Sequence, residues 1–382
     1  MISKWANQWK MCFNPDPTKP AEEVIFSNKR IKTNHPPLFF DNNLVKQVES
    51  HKHLGLILDS KLTFNKHINE KVSIARKWIG IIKQLSQYLP ITSLDQIYKM
   101  HIRPHFDYCD AIFHVPSSLN NFNLSLNYSM GILERTQYQA ALAITGAWKG
   151  TNRDKIYEEL GWETLDSRRQ CHRLIMFYKI INNFTPNYLK VPIPIRNRSS
   201  SRISRIPTLH CRTNKYINSF YPNSITCWNN LDPDIKSSVS ISLFKKKIFN
   251  IIRPNKKDMF QILDRKGTKW IYQLRVGLSP LKSHKLRHNF QDLISDICSC
   301  TLNSETPLHF FLECSNYNTI RQNLLNEVTP ILSSKNLQYN NETLVQILLY
   351  GHIDLNQFDN KQILLASIKY ISKSCRFDEG IK

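Results

Sequence analysis

Three thiols and one imidazole fall within seventeen consecutive positions, in the run CSCTLNSETPLHFFLEC from Cys298 to Cys314. No other feature restricts the fold so tightly. Cys298 and Cys300 are one residue apart, His309 follows after eight more, and Cys314 after another four. Three thiolates and an imidazole form a structural zinc set, because four protein ligands leave no open position for a catalytic water. Binding the ion would also contribute folding free energy to a segment too short to hold a core alone. A single residue between the first two cysteines is tighter than the two to four of most zinc sites. A competing reading leaves Cys298 and Cys300 as incidental thiols and packs His309 beside Phe310 and Phe311. All four ligands in so short a run favour the metal.

What such a clamp serves depends on charge. Lys and Arg total 52 against 30 acidic residues, a formal net charge of +22. That excess exceeds what solubility requires and attracts polyanions, nucleic acid above all. An AT-biased coding sequence rich in Asn, Ile and Lys would account for part of it. Around the clamp, Lys282, His284, Lys285, Arg287 and His288 form a basic run upstream and Arg321 follows. A compact metal knuckle flanked by cations and aromatics suits single-stranded or structured nucleic acid; the run alone would be a solvated face.

Nine cysteines, only three of them clustered, make a poor disulfide framework. A reducing intracellular setting is expected, nuclear or cytoplasmic, with no disulfide-linked partner. The start MISKWANQWKMCF has no apolar run of signal-peptide type. Residues 111–133 lack Asp, Glu, Lys and Arg, but Pro116, paired serines and several asparagines argue against a membrane span.

At 41% hydrophobic, 382 residues suffice for two or three modest domains. Ile2, Trp5 and Trp9 lie on one face of a helix that begins without a capping residue. Short strand-like runs follow at Glu23–Phe26, Leu38–Phe40, Leu44–Val48 and His53–Leu58. From Phe64 the period changes: Phe64, Ile68, Val72, Ala75, Ile79, Ile82 and Leu85 describe the buried stripe of a long helix. Lys66, Lys71, Arg76, Lys77 and Lys83 flank it, and Pro90 ends it. Leu94, Ile97, Tyr98 and Ile102 mark a second helix closed by Pro104. A loop is expected at 116–128, with helices at 130–145 and 167–183, the latter turning Leu174, Phe177, Tyr178 and Ile181 inward. VPIPIRNRSSSRISRIP at 192–208 reads as a linker. Strand-like pieces near 216–228, a basic helix at Leu243–Ile252 and helices at 259–275 and 286–297 precede the clamp, and polar helices finish the chain.

A complete active site is missing. Polymerases and nucleases place two divalent metals about 4 Å apart on adjacent carboxylates, and this sequence has no Asp-Asp pair. Asp107 and Asp110 in FDYCDAIF read as packing and capping residues, and Asp232-Pro-Asp234 as a turn. GAWKGT at 146–151 fails the spacing of a phosphate loop. His51 and His53 have no nucleophile beside them.

Several phrases, in order, resemble the reverse transcriptases of non-LTR retrotransposons of the jockey-like or CR1-like kind. They are KWANQWKMCFNPDPTKPAEEVIFSNK, HKHLGLILDSKLTFNKHI, IYKMHIRPHFDYCDAIF, ERTQYQAALAITGAWKGTNRDKIYEELGWETLDSRR, LRVGLSPLKSHKLRHNF and the clamp itself. The similarity extends from residue 1 to about 325. It implies that Trp5 through Phe26 form the last helix and strand of a polymerase palm, and that His53, Leu54 and Gly55 form the primer-grip hairpin. Helices from Phe64 onward would be the thumb, laying Lys66, Arg76 and Lys77 along a template–primer duplex. Arg275, Lys282, Lys285, Arg287, His288 and Arg321 would contact nucleic acid around a C-terminal zinc knuckle.

The implied fold is α+β and predominantly α-helical. It has the end of the palm and a small antiparallel β remnant at 1–60, a helical thumb region at 61–191, a linker at 192–208, a basic zinc-knuckle region at 209–325 and a polar helical tail at 326–382. The implied cofactor is structural Zn2+, and the implied partners are template RNA and target DNA. The family's Asp-Asp turn, fingers and endonuclease, and with them its Mg2+ site, are expected upstream of Ile2. The chain alone is then not expected to polymerise, and Met1 reads as an internal methionine of a broken or mis-predicted frame. A fragment that keeps nucleic-acid binding, a host protein reusing thumb and knuckle, a non-functional relic, and a structural zinc protein with no nucleic-acid role all remain open.

Overall fold

A computed structural model describes residues 2–10, 21–27, 29, 36–40, 43–114, 124–189, 205–252, 262, 264–291 and 293–378. Most of them are helical, and short two-stranded sheets are confined to the N-terminal part. The chain divides into two compact units. One comprises Met1–Ile74, Phe106–Leu133 and Arg169–Phe244; the other comprises Ala75–His105, Glu134–Arg168 and Lys245–Lys382.

The first unit opens with α1 (Ile2–Gln8). Its expected apolar face is corrected: Ala6 is the buried residue, while Trp5 and Trp9 stay 50% and 63% exposed. A short helix has little surface to cover two indoles. The strand-like runs shrink to pairs of residues. β1 (Glu22–Glu23) lies parallel to β4 (Lys46–Gln47), where an antiparallel arrangement was expected, and β2 (Phe39–Phe40) lies antiparallel to β3 (Asn43–Leu44).

A hairpin joins β5 (Ser50–His53) to β6 (Leu56–Asp59), pairing His53 with Leu56. Its two-residue turn places Leu54 at φ 46° and Gly55 at φ 85°, the doubly positive backbone of tight hairpins. Tyr108 donates its hydroxyl to the Leu54 carbonyl. A Cβ on Gly55 would meet that ring at 3.3 Å, so the position also needs a bare backbone. Past the hairpin, the Asp59 carboxylate accepts the N–H groups of Thr63 and Phe64 at 3.0 and 2.7 Å, fixing the entry to the next helix.

That helix, α2 (Asn65–Leu85), follows the predicted stripe. Ile68 and Val72 are buried with Phe64 in the first unit, and Ala75, Ile79 and Ile82 in the second. Next come α3 (Ile91–His101), α4 (Arg103–Asp107) and α5 (Asp110–Phe113). Pro104 opens α4 instead of merely closing α3, because a helix's first turn needs no proline N–H.

α6 (Leu124–Thr145) begins inside the segment expected to be a loop. Ser and Asn are only weak helix breakers there, and no proline follows Pro116. The 115–123 part of that loop, and 192–204 of the linker, lie outside the described residues. α7 (Arg153–Leu160) is capped by Asn152, whose side chain accepts from Asp154 and Lys155, and by Gly161 at φ 65°. α8 (Leu165–Ile181) turns Leu174, Phe177, Tyr178 and Ile180 inward, while Ile181 stays half-buried.

The strand-like pieces near 216–228 are helices instead, α9 (Asn214–Ile217) and α10 (Phe220–Asn229). Thr213 caps the first by accepting from Tyr216, and Pro222 sits in the first turn of the second. Their Phe, Tyr, Ile and Thr content imitates a strand, but burial of Ile225 and Trp228 on one face decides for the helix. Asp232 caps α11 (Pro233–Lys236) with proline at its start, and α12 (Ile241–Ile252) follows.

In the second unit lie α13 (Arg265–Arg275), α14 (Lys282–Arg287), α15 (Asn318–Ser333), α16 (Asn341–Tyr350) and α17 (Gln357–Lys373). The helix expected at 286–297 does not form. α14 ends at Arg287, and Asn289 turns left-handed at φ 53°. The last helices are far from polar all round: Ile347, Leu348, Ile363, Leu364 and Ile371 are buried. Among the described residues no helix is long and apolar enough to cross a membrane.

His284, on α14, gives this unit an acid sensitivity. Burial, then the charges of Arg287 and His288, push its imidazole from 6.5 down to about 4. The unfolded chain therefore takes up a proton between pH 6.5 and 4 that the folded chain refuses. The contribution is complete above pH 6.5 and is lost as pH falls toward 4, about 2 kcal/mol by pH 5. Thermal melts at pH 7.5 and pH 5 should show a larger drop for the wild type than for His284→Gln. Equal drops would exclude this histidine as the cause.

Candidate metal centre and basic surface

The clamp closes in space as it does in sequence. One ligand atom each from Cys298, Cys300, His309 and Cys314 lies within 4.8 Å of the other three. Cys298 Sγ is 3.6 Å from Cys314 Sγ, and Cys300 Sγ is 3.1 Å from His309 Nε2. Cys298, His309 and Cys314 are buried, and Cys300 is half-buried.

Two local devices assemble the set. Residues 297–304 form a tight hairpin in which Ile297 bridges Ser304, Thr301 N–H bonds to the Cys298 carbonyl and Thr301 adopts φ 66°. This turn lets Cys-x-Cys present both sulfurs to one side despite the short spacing. His309–Glu313 is a π-helical turn closed by Cys314 N–H to the His309 carbonyl at 2.7 Å. A five-residue hydrogen-bond step sets position 314 over position 309, as an α-turn would not.

The donor chemistry fits zinc. The Leu302 N–H bonded to Cys300 draws that thiol down to about 6 against the opposing effect of burial, with His309 assisting. Burial pushes the Cys314 thiol up to about 12, although the Asn316 N–H is directed at its sulfur. His309 turns Nε2 toward Cys300, and its buried Nδ1 lies 3.5 Å from a Glu313 carboxylate oxygen without a hydrogen bond to it. The cluster is consistent with a structural zinc site, and with no exposed ligand position it offers none for catalysis.

The centre is set in an aromatic core. Phe310 meets Tyr370 at 5.2 Å and Phe377 at 5.5 Å, and Phe311 stacks on Tyr370 at 5.3 Å. Glu305, 2% exposed, is held by the Arg376 guanidinium at 2.6 and 2.7 Å and accepts the Lys282 N–H at 2.8 Å.

Residues nominated for nucleic acid divide by exposure. Lys66, Arg76, Lys77, Arg287 and His288 are exposed, as are His53 and Leu54 at the hairpin, where Gly55 is half-buried. Lys282 donates its ammonium to the Ile297 carbonyl at 2.7 Å, and Lys285 is half-buried on the same helix. Arg321 holds the clamp backbone, donating to the Phe311 carbonyl at 3.0 Å and to the Cys314 carbonyl. Arg275 is interior: its guanidinium pairs with Glu159 at 3.1 Å and donates to the Leu349 carbonyl at 2.8 Å. A structural ion pair occupies it.

Over 209 residues, 53% of this chain, the sequence is 28% identical to a probable RNA-directed DNA polymerase from transposon X-element of Drosophila melanogaster. The chain is distantly similar to a transposon reverse transcriptase. It spans about a fifth of that protein, 20% of whose length the similarity covers. No family model and no solved structure matches it.

A second cluster gathers Asp107, Asp110 and His172, whose ligand atoms also lie within 4.8 Å. His172 Nδ1 is 2.6 Å from an Asp110 oxygen, and Asp110 is 4% exposed. Nothing local announces His172, which lies 62 positions from its partner. The pair is a close hydrogen-bond contact with Asp110 buried, and Asp107 completes the cluster.

Proposed function

We propose that this chain is the nucleic-acid-holding part of a retrotransposon RNA-directed DNA polymerase, with template RNA or target DNA as partner. The similarity to a transposon polymerase is the observation that carries this reading, and the chain's net charge of +22 and its Cys3His cluster support it. On this reading residues 1–60 are the end of the palm with the primer-grip hairpin, 61–191 the thumb region, and 209–325 the knuckle region that grips nucleic acid. Zinc, held by Cys298, Cys300, His309 and Cys314, shapes that grip and takes no part in reaction. RNA-directed synthesis itself needs paired carboxylates for its Mg2+ ions. This sequence has no Asp-Asp pair, so its own contribution is binding.

Phosphate contacts then dominate affinity. Neutralising about six phosphates of a single strand gives a log–log salt slope near −4, roughly a 300-fold loss between 50 and 200 mM salt. Anisotropy titrations of zinc-loaded protein on labelled RNA measure that slope. Affinity independent of salt, or no binding at low salt, would remove nucleic acid as the partner.

A further inference from the structure

Folding brings Lys155, on α7, to the basic end of α14, far from it in sequence. Lys155 is exposed, and its ammonium lies 3.9 Å from where a Cβ on Gly277 would stand, over the loop that leads from α13 to α14. Two residues along that loop, Ser279 Oγ is hydrogen-bonded to His284 Nδ1 at 2.8 Å. His284 is buried, while Arg287 and His288, three and four residues on, share its side of α14 and are exposed. His288 closes that turn by donating its N–H to the His284 carbonyl. The charges of Arg287, His288 and Lys155 accordingly all act on the one imidazole.

These three basic groups lack a counter-charge. Among the described residues none of them forms an ion pair, although Glu158 lies one turn beyond Lys155 on α7. Other acids nearby are taken: Asp154 pairs with Arg153 at 3.1 Å, Glu159 with Arg275 at 3.1 Å and Glu305 with Arg376 at 2.6 Å. Gathering like charges without compensation is unfavourable, and it leaves a surface on which an anion gains from each of them.

We propose that Lys155 joins Arg287 and His288 in holding the phosphate backbone of one nucleic-acid strand, which crosses the 277–279 loop between α7 and α14. This rests on the nucleic-acid reading above, in which Arg287 and His288 already face the ligand; the structure adds α7 to that surface. Contacts of this kind set affinity and register and read no base.

The test repeats the salt titration of zinc-loaded full chain on labelled single-stranded RNA. Lys155→Gln should bind about fivefold more weakly at 50 mM salt and reduce the magnitude of the log–log slope by about 0.7, the share of one phosphate on a single strand. Arg287→Gln should do the same, and Lys155→Arg, which keeps the charge, should restore the slope. Lys335→Gln, at an exposed position beyond α15, should keep the wild-type slope. Since no ion pair is lost, Lys155→Gln should melt no lower than wild type, and its deficit should be equal on RNAs of different sequence. A wild-type slope for Lys155→Gln, an equal change for Lys335→Gln, or a deficit that Lys155→Arg does not repair overturns the shared contact and leaves general binding standing. Failure of the wild type to bind RNA overturns both readings.

Discussion

Cys314→Ser will release the metal. Zinc-loaded wild type should carry close to one zinc per chain, and the variant a small fraction of that. Cys314 is 0% exposed, and its sulfur lies 3.6 Å from that of Cys298, so no solvent ligand can reach the gap from outside. A serine hydroxyl is a poor zinc donor at neutral pH, since the ion selects thiolate and imidazole. The loss should exceed the 10–100-fold typical of removing a group that only supports a ligand. Equal metal content in the two proteins would sink the zinc assignment.

The same variant distinguishes this knuckle from a free-standing zinc finger. Fingers unfold without metal because they have little other core. Here Phe310, Phe311, Tyr370 and Phe377 pack together behind the ligands, and α16 and α17 bury further leucines and isoleucines. Metal loss should therefore open residues 297–317 to rapid hydrogen exchange while α16 and α17 stay protected. Mass-resolved exchange on wild type, chelated wild type and Cys314→Ser reads this directly. Global loss of protection would mean that the aromatic core depends on the ion.

Those outcomes bear on what was legible in the amino acids. The clamp was, because its ligands are neighbours in sequence and both turns that orient them are local. The stripe from Phe64 to Ile82 was, because a long helix repeats its period often enough to show which face is buried. Short elements were not. Tyr216 to Trp228 has the composition of a strand, and only a capping threonine and the burial of Ile225 and Trp228 make it helical. Trp5 and Trp9 have helical spacing but no described neighbour large enough to bury them. Distant polar pairs were invisible altogether, since nothing near Asp110 points to His172 and nothing near Arg275 points to Glu159.

Arg275 shows how such a miss changes an expected experiment. Sequence context places it among cations expected to meet phosphate, and its replacement would then weaken binding and spare the fold. Its side chain is instead wholly buried against Glu159, itself 5% exposed, with the Tyr350 ring 4.7 Å from the guanidinium. Arg275→Ala removes the guanidinium paired with a buried carboxylate and the donor to the Leu349 carbonyl, a loss of about 3–5 kcal/mol. For a unit of this size that lowers Tm by roughly 10 °C or more. Arg275→Met with Glu159→Gln removes both charges and keeps the volume, so much of the loss should return. RNA affinity of the folded fraction should stay at the wild-type value in both variants. A variant that melts normally but binds RNA poorly would put Arg275 back on the binding surface; one that melts low and binds normally identifies it as a structural cation of the second unit.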